Sequence, residues 1–262
     1  MLKTLINLGC VYLVKLSEAE KQRYARQLII KNWGEATQEK LKQSTMAIIG
    51  IGGLGSPVSL YAAAAGVGTI KIIDDDVVDL SNLNRQIIHF TPDISKKKVE
   101  SAHAKLTALN PDIKIEPLSI KLTKDNIQSV IKGCNIVLDC LDNFQTRFLL
   151  NETCVKLGIP SVHAAVYAFE GRVLTIIPHK GPCLQCFYPK EPKVLKPFPV
   201  VGAAVGITAS IEITEAIKVL TGIGTPLVGR LLIIDGENMK FDIIEIKQDP
   251  QCPVCGKASG KR

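Results

Sequence analysis

The 262-residue sequence predicts an α/β fold: a doubly wound sheet, parallel in its N-terminal half, with antiparallel C-terminal strands. Two observations carry this. Short β-branched runs alternate with longer segments of helical period, the pattern of successive βα units. After Pro160 the pattern changes, and the runs Ser161–Val166 and Arg172–Ile177 follow one another without a helical segment between them, as antiparallel neighbours do. A composition of 46% hydrophobic and 22% charged residues excludes a disordered chain. At this length roughly three quarters of the unfolded surface is buried on folding, so the core needs no staples.

Taken in order, Met1–Lys15 reads as an N-terminal extension, 16–256 as one α/β domain and 257–262 as a basic tail. The extension has a lysine and an apolar run, but Asn7 interrupts the run and no small-x-small cleavage site follows, so it is not read as a signal peptide. An amphipathic helical segment spans Ser17–Leu41, with Ser17 and Glu20 at capping-box spacing. Strand Thr45–Ile49 leads through a glycine loop to an alanine-rich helix ending at Gly66, and strand Thr69–Ile73 stops at Asp74. A helix from Ser95 to Leu109 follows, closed by Asn110-Pro111, and then two more βα units: Ile113–Leu118 with Lys124–Lys132, and Asn135–Asp139 with Asn143–Leu157. The Pro-rich stretch 181–200 reads as an irregular crossover before a helix at Ala203–Leu220 and strands at Leu231–Asp235 and Phe241–Ile246. Residues 43–70 carry no charge, but six glycines and Pro57 in that stretch exclude a membrane span. A cytoplasmic protein with no membrane or nucleic-acid partner is expected. The net charge of +7 suits a carboxylate- or phosphate-bearing partner and equally a merely solubilising surface.

Gly50-Ile51-Gly52-Gly53-Leu54-Gly55 fits G-x-G-x-x-G between a strand and a helix, and Asp74 ends the next strand, the Rossmann-like arrangement for a nucleotide. Backbone N–H groups at the helix start face a phosphate, and the acid accepts from ribose hydroxyls. Ser81-Asn82-Leu83-Asn84-Arg85 follows, and Lys96, Lys97 and Lys98 stand at the next helix start, where cations oppose the macrodipole. A lysine run is usually a solvated face. Here Arg85 with one of these lysines would clamp a triphosphate. Asp139-Cys140-Leu141-Asp142-Asn143 sets acids at a carboxyl-terminal strand edge, where Asp142 either holds Mg²⁺ or caps the following helix.

Cys183-x-x-Cys186 and Cys252-x-x-Cys255 have the paired spacing of a structural Zn²⁺ site, with disulfides or redox chemistry as the competing readings. Cys10, Cys134, Cys140 and Cys154 sit among apolar neighbours and read as core thiols. His89, His103, His163 and His179 show no metal or triad spacing.

In this order, Arg23-Tyr24-Ala25-Arg26-Gln27, the glycine loop, Ser81–Gln86, Lys96–Ala102, Asp139–Asn143 and the two C-x-x-C pairs resemble the ThiF/MoeB/HesA adenylyltransferases related to ubiquitin-activating enzymes. The resemblance runs from Leu16 to Gly256. It implies an enzyme that uses ATP and Mg²⁺ to adenylate the C-terminal glycine carboxylate of a ubiquitin-like sulfur-carrier protein ending in Gly-Gly, releasing pyrophosphate. A sulfur donor then serves thiamine, molybdenum-cofactor or another sulfur pathway. It implies nucleotide contacts from Gly50, Gly52, Gly53 and Gly55, and ribose contact from Asp74. Ser81, Asn82, Arg85 and Lys98 would meet the phosphates, Asp142 with Asn143 the magnesium end, and Arg26 the ATP of the other subunit of a homodimer. One departure stands out: Leu195 occupies the place of a loop cysteine that forms covalent carrier adducts in relatives. The alternatives are an NAD-dependent oxidoreductase, supported by the glycine loop alone, and a non-catalytic nucleotide-binding scaffold, opposed by the intact Asp74, Arg85, Lys98 and Asp142.

Overall fold

The structure is a computed structural model that describes residues 14–192 and 199–256. In chain order the elements are α1 (Glu18–Arg23), α2 (Ala25–Leu28), α3 (Gly34–Gln43), β1 (Thr45–Ile49), α4 (Gly55–Ala65), β2 (Thr69–Ile73), α5 (Lys98–Leu109), β3 (Lys114–Leu118), α6 (Ile127–Ile131), β4 (Ile136–Asp139), α7 (Phe144–Leu157), β5 (Ser161–Tyr167), β6 (Glu170–Ile176), α8 (Leu184–Phe187), α9 (Gly202–Thr221), β7 (Arg230–Asp235) and β8 (Lys240–Glu245). The strands form one sheet in the order β3-β2-β1-β4-β5-β6-β7-β8. Pairing is parallel from β3 to β5 and antiparallel from β5 to β8.

Alternation along the strands divides the core between the two faces. Met46, Ile48, Ile70, Ile72, Ile136 and Leu138 pack with α4, α5 and α9, whereas Ala47, Ile49, Ile73 and Val137 pack with α6 and α7. Burial on both sides explains why these parallel strands read as unbroken apolar runs. The chain order reverses between β1 and β4, and the register sets Ile49 level with both Ile73 and Asp139. The carboxyl ends of β1, β2 and β4 therefore meet at the topological switch point, where open α/β sheets bind ligands.

Three boundaries differ from expectation, each for a backbone reason. The amphipathic stretch from Ser17 is three helices and not one: Tyr24 (φ −96°, ψ 13°) leaves helical geometry between α1 and α2, and Asn32 (φ 68°) takes a left-handed conformation between α2 and α3 that no α-helix continues through. Its Ser17–Glu20 capping box is present. Helix α5 starts at Lys98 instead of Ser95, since Ser95 has φ 72°, so Lys96 and Lys97 precede the helix. Within the stretch expected to be an irregular crossover, Cys183 opens the single turn α8. No helix among the described residues is long and apolar enough to cross a membrane.

Candidate active site

The glycine loop is built by close backbone approach. Gly50 has φ 93°, and a Cβ there would lie 2.7 Å from the Cys140 carbonyl oxygen; at Gly55 it would lie 1.9 Å from that of Gly50. No larger residue closes this turn. Asp74 Oδ2 accepts from the Ile51 N–H at 2.7 Å, and its Oδ1 accepts from the Asp76 N–H at 2.9 Å. Beneath the loop, His89 Nε2 lies 3.0 Å from the Ile51 carbonyl and Nδ1 lies 2.9 Å from Ser101 Oγ. A carbonyl only accepts, so Nε2 carries the proton and Nδ1 accepts from Ser101. Burial lowers the His89 pKa, consistent with this neutral form.

A cavity of about 810 Å³ opens above these strand ends and is lined by Gly50, Gly52, Gly53, Asp74, Arg85, Lys98, Asp142 and Asn143. Arg85 Nη1 donates to the Ser81 carbonyl and to Asn84 Oδ1, both at 2.9 Å. The Ser81 and Asn82 side chains instead bond Asp79 within their own turn and do not line the cavity. Lys98 Nζ, on a side chain 7% exposed, pairs with Asp76 Oδ2 at 2.8 Å. Asn143 caps α7, its Oδ1 accepting from the Thr146 N–H at 2.9 Å, so the cap competing for Asp142 is supplied by its neighbour. Gly55 packs behind the loop, and Arg26 is exposed on α2, outside the cavity of its own chain.

Sequence reasoning missed the buried group that carries the Asp142 loop. Asp139 Oδ2 accepts from His163 Nδ1 at 2.6 Å and lies 3.5 Å from Arg147 Nη1. Arg147 donates to the carbonyls of Ala164 and Leu141, while Asp139 Oδ1 accepts from the Leu141 N–H at 3.3 Å. Both backbone groups of Leu141 are thus tied down next to Asp142. The only sequence signal was an acid closing the apolar run of β4; the contacts with Arg147 and His163 come from α7 and β5 packing on that strand end.

The two C-x-x-C pairs converge, with all four Sγ atoms within 4.8 Å of one another. Cys183 and Cys252 sulfurs are 3.7 Å apart and those of Cys186 and Cys255 3.4 Å, too long for disulfides. Tetrahedral zinc with Zn–S near 2.3 Å sets sulfurs about 3.8 Å apart. The residues fit that ion, and the Asp249 N–H donates to Cys186 Sγ at 3.4 Å, as amides around such thiolates do. Asp142, exposed and free of a cap, fits a magnesium that takes one carboxylate together with phosphate oxygens.

The ThiF family profile matches residues 24–254. The chain belongs to the ThiF family. Among its ThiF-type relatives, the SAMP-activating enzyme E1 of Haloferax volcanii is 41% identical over 249 residues, covering 93% of this chain and 92% of the relative. The sulfur carrier protein ThiS adenylyltransferase of Escherichia coli is 39% identical over 246 residues, covering 92% and 97%. The fold is shared with the microcin C7 biosynthetic enzyme MccB in complex with N-formylated MccA, at TM-score 0.82 and 22% identity over 92% of this chain and 77% of that one.

Proposed function

We propose that this ThiF-family chain adenylates the C-terminal glycine carboxylate of a ubiquitin-like sulfur carrier with ATP, releasing pyrophosphate, for sulfur transfer in cofactor biosynthesis. The observation that carries it is the gathering of the glycine loop, Asp74, Arg85, Lys98 and Asp142 around one cavity at the switch point, in a chain akin to sulfur-carrier adenylyltransferases. The carboxylate is ionised at neutral pH and needs no general base. Its oxygen attacks the α-phosphorus, forming the acyl-phosphate bond as the bond to the β-phosphate bridging oxygen breaks, and the electron pair leaves with pyrophosphate.

The chain's own residues orient the reactants and neutralise charge. Glycine-loop N–H groups face the phosphates, and Asp74 keeps lone pairs on each oxygen for ribose hydroxyls. Arg85 and Lys98 stabilise the negative charge growing on the departing pyrophosphate, Lys98 exchanging Asp76 for a phosphate oxygen. Asp142, with Asn143 beside it, would hold Mg²⁺, which supplies further charge neutralisation at the phosphates when bound. Cys183, Cys186, Cys252 and Cys255 would hold a structural Zn²⁺ joining the turn at α8 to the end of the described chain. Residues 16–256 serve as the catalytic domain. Arg26, exposed on α2, acts in the site of a second subunit in a homodimer.

Leu195 lies outside the described residues, as does Cys10. Cys134, Cys140 and Cys154 are buried, and burial raises each thiol pKa, which leaves little thiolate for attack. A sulfur donor therefore consumes the acyl-adenylate directly. Carrier-dependent ATP–pyrophosphate exchange tests the reading: exchange should require an intact terminal glycine. Absence of exchange with carriers ending in Gly-Gly sinks adenylation, and a thiol-sensitive enzyme–carrier adduct on denaturing gels sinks the direct route.

A further inference from the structure

The cavity reaches further than a nucleotide needs. Beyond the Asp142 loop it is also lined by Phe144, Ala165, Tyr167, Glu170, Arg172 and Tyr188. Arg172 stands opposite Ala165 and Glu170 opposite Tyr167 in the β5–β6 register, so the four share one face of the sheet. The short side chain of Ala165 leaves room beside the guanidinium, and the Arg172 side chain is 37% exposed. Glu170 Oε1 occupies one edge of that guanidinium, 2.6 Å from both Nε and Nη2. On the other edge, between Nη1 and Nη2, the one contact among the described residues is Nη1 to Tyr188 Oη at 3.4 Å. The Tyr188 ring is itself held edge-on by Phe144 and His163, with centroids 5.1 and 6.3 Å away.

A guanidinium only donates, so the open edge of Arg172 takes an acceptor. Those of the nucleotide lie elsewhere. Asp74, which receives the ribose, follows β2, and β2 is four strand spacings from β6, about 19 Å. The base is joined directly to that ribose, and the glycine loop and Lys98, paired with Asp76, hold the phosphates on the β1–β2 side. What remains is the carrier tail. Its carboxylate meets the α-phosphorus between the glycine loop after β1 and Asp142 after β4. From there to β6 is two to three strand spacings, about 10–14 Å, the length of roughly three to four residues of extended chain. The last two are glycines, so the side chains that come level with Arg172 belong to the two residues ahead of Gly-Gly. A main-chain carbonyl would offer this edge one neutral oxygen, whereas a carboxylate fills both of its N–H groups and matches the charge.

Resting on the adenylation reading, we propose that Arg172 selects the carrier by an acidic side chain in the two positions ahead of its terminal Gly-Gly, the open edge of the guanidinium donating to that carboxylate. The test uses one purified ubiquitin-fold carrier ending in Gly-Gly, with both preceding positions made Glu, Ala or Lys, in ATP–pyrophosphate exchange. With the unmutated enzyme the Lys tail should show a KM about 10-fold or more above that of the Glu tail, the scale of one charge-assisted hydrogen bond, with the Ala tail between them. Arg172→Gln should bring the Glu and Lys tails within about twofold of each other, and Arg172→Glu should reverse their order. Affinity for a non-hydrolysable ATP analogue, titrated without carrier, should stay within about twofold in both variants. Equal KM values for the Glu and Lys tails with the unmutated enzyme, or a preference for Lys, overturn the inference before any variant is made. A Glu preference that survives Arg172→Gln also overturns it, as does nucleotide binding that weakens in step with carrier binding. No exchange with any of the three tails removes the adenylation reading and this inference with it; exchange indifferent to tail charge removes this inference alone.

Discussion

Asp139 and Glu212 are both carboxylates buried beneath the Cys140–Asp142 loop, yet their protons are held in opposite ways. Burial alone would raise Asp139, but Arg147 and the His163 N–H hold it below the usual carboxylate range. Glu212, 3.5 Å from Cys140 Sγ, has no cation paired with it among the described residues, and burial together with the charge of Asp139 pushes it well up. A raised folded pKa means that Glu212 costs nothing below its unfolded pKa of about 4.3 and destabilises as pH rises through the folded value. Glu212→Gln, which mimics the protonated acid, should therefore melt like the original near pH 4 and higher at pH 8; an equal or lower melting temperature at pH 8 would show Glu212 ionised in place. Asp139 works in the other direction: its stabilisation is present above about pH 4, its unfolded range, and is lost as pH falls through the depressed folded value. For the reaction itself, Asp142→Ala and Arg85→Ala should each lower carrier-dependent pyrophosphate exchange by orders of magnitude, as loss of charge stabilisation at a phosphoryl centre does. Unchanged exchange in either variant removes that residue from the mechanism.

Among the elements, the helix starts and the cysteine turns carry the testable energetics. Asn143 caps α7 and fixes the loop that presents Asp142, so Asn143→Ala should cost about 1 kcal/mol by denaturant titration and lower exchange as well. The cysteine cluster packs with Leu174, Ile176 and Leu231, joining α8 to the chain beyond β8. Metal analysis of protein purified without chelator should give about one zinc per chain, and chelation or Cys183→Ser should lower the melting temperature. Full metal loading in a variant lacking Cys183 and Cys186 would refute the site. The Ser17–Glu20 capping box and the C-x-x-C spacing were legible in sequence because they are local. The break of the first amphipathic stretch before α3 was not, because Asn32 adopts a left-handed φ only where the chain turns back toward Gln38 and Ala65.

At the scale of the whole molecule, Arg26 stands apart from the cavity its own chain forms, and the homodimer reading turns that distance into a prediction. Arg26→Ala and Asp142→Ala should each be inactive alone. After random subunit exchange, half of the dimers contain one intact composite site, so roughly a quarter of the original activity should return. A monomer by sedimentation, or no recovery after confirmed exchange, would reject it.

The sequence by itself determined the sheet's strands, the switch from parallel to antiparallel pairing after Pro160, the glycine loop with Asp74, and the two cysteine pairs, because each is written in contiguous periodicity or spacing. Only the tertiary structure decided which charged residues share a cavity. It brought Arg85 and Lys98 to the wall and turned Ser81 and Asn82 away into the Asp79 turn. It also joined Asp139, Arg147 and His163 beneath the Asp142 loop and set Arg172 in the cavity wall. Those outcomes depend on register and on packing between residues remote in sequence, where a shift of one position turns a side chain to the other face of the sheet.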